Sequence, residues 1–332
     1  MEGAVMKVVR YTACHAKEWD AFVEKAKNGT FLFLRGYMDY HSDRFVDHSL
    51  MLYDFKGKLA ALLPANEVRN EGGAKVLHSH KGLTYGGFVL GRKCHTAEVG
   101  EMFRAVADYL CENGFRQWHY KQMPTVYHLL PAEEDSYWLW RMGARTEHCA
   151  VMTAVDLRNK ERHTASRKKT YCNKLRREGY GVEIGAPLAD FWQILTDNLR
   201  ERFDAAPVHT FEEMTFLQQR FPENIICCTV KSPDGTVVGG TVLFITHRTV
   251  RTQYISASPE GKRTNALDFL MLALMEHFSE FPQYRYFEFG TSMAKDDTAI
   301  NEGLVMQKEG FGGSCVACRS YVLEIQEPTN NQ

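Results

Sequence analysis

Three stretches of this chain carry residue types at spacings that can do chemistry. The first is Asn301–Ser314, NEGLVMQKEGFGGS. Leu304, Val305 and Lys308 fall within about one helical turn. The glycines at 310, 312 and 313 then oppose any continuation, because glycine has a large backbone entropy cost in a helix. Lys308 thus stands on the last turn, ahead of backbone amides expected to be open. A cation beside open N–H donors can stabilise negative charge developing on an acyl oxygen or a phosphate. Gly312 would let a substrate approach the backbone. The same run also reads as a helix stop before an edge strand, with Lys308 solvated.

The second stretch is Arg158–Arg177, RNKERHTASRKKTYCNKLRR, with nine basic residues and Glu161 as its one acid. Tyr171 and Leu175 are four apart and would seat one face of a helix starting near Thr164 or Ser166. The other faces stay cationic, as a phosphate-rich ligand requires. Arg167, Lys168, Lys169, Tyr171, Lys174 and Arg176 are the candidate binding residues; the alternative is a solvated charged face. The third stretch is Ser256–Asn265, between a strand and an almost wholly apolar helix. There Lys262, Arg263, Thr264 and Asn265 could hold phosphates at a helix N-terminus.

Single residues add to these. Glu288, near the end of the strand YRYFEFG, could act as a general base toward an amine, or could pair with Arg285 or a lysine. Tyr85, before Gly86 and Gly87, reads as the wall of a substrate groove. His78 and His80 share a strand face but lack a third metal ligand, and Cys315-Val-Ala-Cys318 lacks a second cysteine pair. No metal site is expected.

The chain has 332 residues, which suggests two domains. A 44% hydrophobic and 24% charged composition is that of a globular protein with a full core. With a formal net charge of −1, any anion site must be a local concentration of cations. No run reaches the roughly 18 apolar residues needed to span a bilayer. The N-terminus lacks a signal-peptide pattern, so the nine cysteines are expected to be reduced thiols in a cytoplasmic protein.

The elements that must position these residues repeat at half the chain length. Val9–Phe22 aligns with Val182–Leu195, each a short strand followed by a helix carrying a tryptophan, Trp19 or Trp192. A hairpin follows in each half, around Lys56-Gly57 and around Pro233-Asp234-Gly235. A third strand, a long helix (Thr96–Glu112; Asn265–Ser279) and a further strand come next. Each half closes alike: Leu139–Ala144 then Val151–Leu157, against Met306–Phe311 then Val316–Ile325. The order predicts two α/β (α+β mixed) domains, 1–157 and 158–332, each a mixed sheet flanked by helices. The strand at Val151 could pair with either half.

The run Gly303–Gly313 resembles the C-terminal signature of the FemABX family, aminoacyl transferases built from two GNAT-like domains. That family tends to read Gly-Leu-Tyr-x-Phe-Lys-x-Gly-Phe-Gly-Gly. Here the lysine, the following phenylalanine and every glycine match, while Val305 and Gln307 replace the two aromatics. The basic helix and the junction at Lys262–Asn265 are similar to the same family, whereas the glycine-rich cradle that ordinary GNAT enzymes use for coenzyme A is missing. The resemblance implies an N-acyltransferase acting on an amine of a small, phosphate-bearing acceptor such as a cell-envelope precursor. It implies no permanently bound cofactor, with acyl-CoA or aminoacyl-tRNA as the donor substrate. Lys308 would stabilise the oxyanion. No long helical-hairpin insertion is evident, which argues against a large tRNA surface. A reading from another class also stands: a non-catalytic binding module for a nucleotide or nucleic acid, using the basic helix alone. Arg141-Met142-Gly143-Ala144 takes the place of the lysine motif in the first half, so at least that half lacks the signature.

Overall fold

The alternation of short β-rich runs with two long helical ones carries directly into the computed structural model, which describes residues 6–325. The first part of the chain forms β1 (Lys7–Arg10), α1 (Ala16–Lys25), α2 (Arg35–Met38), β2 (Val46–Asp47), β3 (Leu50–Tyr53) and β4 (Leu59–Leu63). It continues through β5 (Asn66–Arg69), β6 (Lys75–His78), β7 (Val89–Leu90), α3 (Thr96–Glu112), β8 (Phe115–Lys121), α4 (Glu134–Arg141) and β9 (Arg145–Asp156). The rest forms α5 (Ser166–Arg177), β10 (Gly181–Ile184), α6 (Leu188–Phe203), α7 (Phe211–Arg220), β11 (Ile225–Lys231), β12 (Val237–Ile245) and β13 (Thr249–Ala257). Last come α8 (Pro259–Thr264), α9 (Ala266–Ser279), β14 (Tyr286–Thr291), α10 (Glu302–Glu309) and β15 (Ser314–Glu324).

Contacts divide the chain into two compact units. Among the described residues, one contains those up to Cys149 together with 317–325; the other is Ala150–Val316. The division therefore falls inside β9 rather than at Leu157. The halves exchange their last strands. The end of β9 pairs antiparallel with β14, Met152 opposite Thr291 and Asp156 opposite Tyr286. The end of β15 pairs antiparallel with β8, Tyr321 opposite Tyr120. Apolar periodicity marks a strand but does not name its partner, so the exchange is invisible in sequence.

In the first unit β1, β3, β4 and β7 form an antiparallel sheet. A second set joins β2, β5, β6, β8 and β15, with β6 and β8 parallel. Its core centres on Phe88, Phe103, Trp118 and Tyr120. In the second unit the order is β10, β11, β12, β13, β14, β9, with only β13 and β14 parallel. Helix α9, apolar almost all round, buries Phe269, Leu270, Met271, Leu274, Met275 and Phe278. A fully buried Leu, Met or Phe is worth about 1.5–3 kcal/mol, so this helix anchors the unit. Both repeat tryptophans are buried as expected, Trp19 on α1 and Trp192 on α6.

The basic helix α5 lies along α9. Lys168 meets Asp268 at 2.8 Å and Arg176 meets Glu276 at 3.3 Å, so the two helices run side by side in the same direction. Its seated face is Lys168, Cys172 and Leu175, with Tyr171 only half-buried.

Candidate functional site

The parallel pair β13–β14 sets up the most unusual constellation of the second unit. Thr249, Val250 and Arg251 lie opposite Tyr286, Phe287 and Glu288, and there the pairing stops. Both strands run on, to Ala257 and Thr291, without pairing to each other. Backbone groups at the C-terminal ends of diverging parallel strands are a recurrent place for ligands. Arg251 and Glu288 close the ladder with a 2.7 Å ion pair between Nη1 and Oε2. Glu288 is fully buried, and its other oxygen accepts the Gly290 amide. Gly290 turns at φ +73°, in the left-handed region that favours glycine.

Lys308 reaches this turn from α10. Asn301 caps that helix, its side chain accepting the Leu304 amide at 3.0 Å. Nζ of Lys308 donates to the carbonyls of Gly290 at 3.0 Å and Thr291 at 2.8 Å. The residue is 6% exposed, so it is not a solvated surface lysine. Burial pushes its pKa down from 10.5 to about 8; the Glu288 carboxylate opposes the fall and the Arg251 guanidinium adds to it. Glu288, Gly290 and Lys308 thus form one hydrogen-bonded chain, with Arg251 behind it.

Gly310 and Gly312, after Lys308, do not present open amides. Gly310, Phe311 and Gly312 donate to the carbonyls of Met306, Lys308 and Glu309, closing the end of the helix on itself. Their role is packing. Gly312 sits at φ +85°, and a Cβ there would collide with Arg162 Cγ and come within 3.1 Å of the His163 carbonyl oxygen. A Cβ on Gly310 would lie 2.9 Å from Lys168 Cε. Phe311 is buried, stacked on Phe289 at 5.0 Å between ring centroids. Gly312 is half-buried, with its Cα facing Arg162 and the His163 carbonyl.

Most of the other expected binding residues are engaged within the protein. Lys168 is buried between Asp268 and the ring of Phe311, 3.8 Å from its centroid. Arg167 donates to the Tyr171 hydroxyl at 3.2 Å, Lys174 pairs with Glu178 at 3.7 Å, and Arg176 with Glu276. Lys169 remains exposed. The expected phosphate cradle is replaced by the short helix α8. The Gly261, Lys262 and Asn265 amides go to Ser258 Oγ, the Ser258 carbonyl and the Lys262 carbonyl. The Lys262 ammonium donates to Asn198, the Thr264 hydroxyl to the Glu260 carbonyl at 3.0 Å, and Arg263 is exposed. Asn265 takes a left-handed conformation, φ +58°, linking α8 to α9, and its side chain makes no cap. Tyr85, in the first unit, is a core ring rather than a groove wall: it is 1% exposed, lies against Phe33 and Tyr127, and donates to Thr30 Oγ1 at 3.1 Å.

Arg251 carries no local signal of its role: β13 reads TVRTQYISA, with Thr249, Thr252 and Gln253 beside it, and only the parallel pairing with β14 brings it to Glu288. Arg285, considered as a partner for Glu288, pairs instead with Asp156 at 3.1 Å. His78 stacks on His119 at 4.3 Å, and burial pushes its pKa down to about 3.

No protein-family model matches the sequence, and no curated protein matches it. Among solved structures, FemX superposes with a TM-score of 0.71 over 97% of this chain and 98% of its own, at 10% identity. The C-terminal domain of a putative lysylphosphatidylglycerol synthetase from Agrobacterium fabrum gives 0.57 over 91% of each chain, at 14% identity. A tandem GNAT protein from the clavulanic acid biosynthesis pathway gives 0.51 over 97% of this chain and 99% of its own, at 13% identity. The fold is thus the one found in FemX and in this tandem GNAT protein. Among the described residues no helix is long and apolar enough to cross a membrane.

Proposed function

We propose that the chain is an acyltransferase that moves an acyl or aminoacyl group from an activated ester onto an amine, with Lys308 at the reacting centre. The observation that carries this reading is the buried Lys308 ammonium, held on two carbonyls at the point where β13 and β14 part. Attack of an amine on an acyl carbonyl makes a tetrahedral oxyanion. Two of the three Lys308 N–H groups are used by Gly290 and Thr291, and the third is the donor for that oxyanion. In a site poor in water such a donor is worth far more than in solution. Collapse of the intermediate breaks the bond from the acyl carbon to the donor's sulfur or oxygen, and the proton shed by the attacking amine ends on the departing thiolate or alkoxide, which leaves as thiol or alcohol. Glu288, with both oxygens engaged, is a positioning residue: it fixes the turn whose carbonyls hold Lys308.

The fold shared with FemX and with tandem GNAT proteins supports acyl transfer, and the donor is a thioester or a charged tRNA. The acceptor is an amine on a small anionic molecule, a cell-envelope precursor being the class that the resemblance of Gly303–Gly313 to the FemABX signature implies. The test is to offer labelled acyl-CoA and charged tRNA separately, with an envelope-precursor extract as acceptor. Transfer that requires Lys308 supports the reading, and the donor used identifies itself. No transfer from either donor would favour the non-catalytic binding module.

A further inference from the structure

Nine cations crowd Arg158–Arg177, and six of them have partners inside the protein. Five of these are Lys168, Arg167, Lys174, Arg176 and Arg177, the last donating to the Asn173 carbonyl. The sixth, Arg158, donates to the carbonyls of Ser279, Phe281 and Tyr284 and so closes the end of α9. The remaining three, Lys160, Arg162 and Lys169, all line one groove of about 420 Å³ beside α5 and α9, with Arg176 as a fourth cation. The one acid lining it, Glu276, is already paired with Arg176. Nη1 of Arg162 is buried and has no hydrogen-bond partner. A buried, unpaired guanidinium N–H is costly, and its stem is held in place against Gly312. The apolar part of its wall is the half-buried Leu272 with the edges of the buried Leu157 and Phe269.

We infer that this groove binds a phosphate ester carrying an apolar group. The phosphate sits at Arg162, Lys160 and Lys169, where a planar fork and two mobile ammonium groups suit a tetrahedral dianion. The apolar part lies over Leu157, Phe269 and Leu272. A solvated charged face would spread its unpaired cations around the helix; here they converge on one recess with a single neutralised acid. The inference does not depend on the transfer reaction, since it is read by binding and not by turnover.

The experiment is calorimetric titration of the full chain with octyl phosphate and with inorganic phosphate, and co-sedimentation with phosphatidylcholine vesicles with and without phosphatidylglycerol. Octyl phosphate should bind several-fold tighter than inorganic phosphate. Arg162→Ala should weaken it by about tenfold or more, the loss of a charge-assisted pair. Because Arg162 also packs on Gly312, the exposed pair Lys160→Glu with Lys169→Glu provides a second variant; it should give the same loss and flatten the salt dependence. Vesicle binding lost in the same variants assigns the phosphate to a lipid, and octyl phosphate binding without it assigns a soluble ester. Failure of octyl phosphate to bind, binding no tighter than inorganic phosphate, or binding that survives both variants would overturn the inference.

Discussion

Replacing Lys308 with methionine separates the cost of burying its charge from the use made of it. Its pKa falls from 10.5 to about 8 on folding, chiefly through burial. At roughly 1.4 kcal/mol per pH unit, that difference is on the order of 3 kcal/mol. The sign follows from proton counts. Below pH 8 the lysine is charged in both folded and unfolded chains, and its cost is fully present. Between about 8 and 10.5 the folded chain has lost the proton while the unfolded chain keeps it, so stability rises with pH. Above that window the gain is complete. Denaturant unfolding of the wild type and of Lys308→Met, compared from pH 7 to pH 10.5, should therefore show the difference moving by about 3 kcal/mol in favour of the wild type. Taking the difference cancels the other titrating groups. Turnover should move the opposite way: if the cation stabilises the oxyanion, activity falls about tenfold per pH unit above 8, and Lys308→Ala lowers it by about 10² or more. A stability difference that stays flat with pH would mean the amine is solvated, and the site argument built on its burial would collapse.

Two further perturbations probe the scaffold around it. Glu288→Ala takes the buried carboxylate from the half-buried Arg251 guanidinium, which keeps its bond to Gln253, and should cost up to about 3 kcal/mol, as loss of one partner of a desolvated pair does; chemical denaturation reads it, and a cost under about 1 kcal/mol would show the pair is not desolvated. Gly312→Ala forces an alanine to φ +85° and into Arg162 Cγ, which should cost about 1–3 kcal/mol in the same assay; an unchanged midpoint would mean the loop yields freely.

How much of this was legible beforehand depends on whether the information is local. The element order, the duplication and the apolar α9 were readable, because hydrophobic period and turn chemistry are properties of neighbours in sequence. Lys308 was singled out by its motif, but its burial was not, since nothing local says that the Gly290 and Thr291 carbonyls will meet it. The amides after Lys308 read as open, yet those of Gly310, Phe311 and Gly312 go to the helix's own carbonyls, because glycine permits the turn. The junction at Lys262–Asn265 read as a phosphate loop for the same reason: its sequence does not reveal that Pro259–Thr264 closes into a helical turn and consumes the amides. The basic run was visible as charge. Which cations it keeps for a ligand could be told only by removing those that Asp268, Glu276, Glu178 and the α9 carbonyls already hold.

The duplicated halves differ at the proposed reacting centre. In the first unit the β6–β8 ladder ends with stacked His78 and His119 where the second unit has Arg251 and Glu288. The position aligned with Lys308 is Arg141, which is exposed. The space beyond the ladder is filled by a buried network: Tyr120 accepts the Phe88 amide and donates to Asp135 at 2.9 Å, and Gln122 donates to the other Asp135 oxygen. Burial raises Asp135 from 3.8 to about 6 and holds Tyr120 well above its usual value. These groups satisfy one another, which is what a structural plug requires. Between about pH 4 and 6 the folded chain keeps a proton on Asp135 that the unfolded chain has lost, so this carboxyl's contribution to stability falls as pH rises, by about 3 kcal/mol in all. Asp135→Asn should abolish that dependence, so the wild-type-minus-variant difference falls by about 3 kcal/mol between pH 4 and 6, while turnover stays within about twofold, as expected if the first unit takes no part in the reaction. If Asp135→Asn instead folds normally and abolishes turnover, the first unit takes part in the chemistry, and the assignment of the reaction to the Lys308 centre alone is wrong.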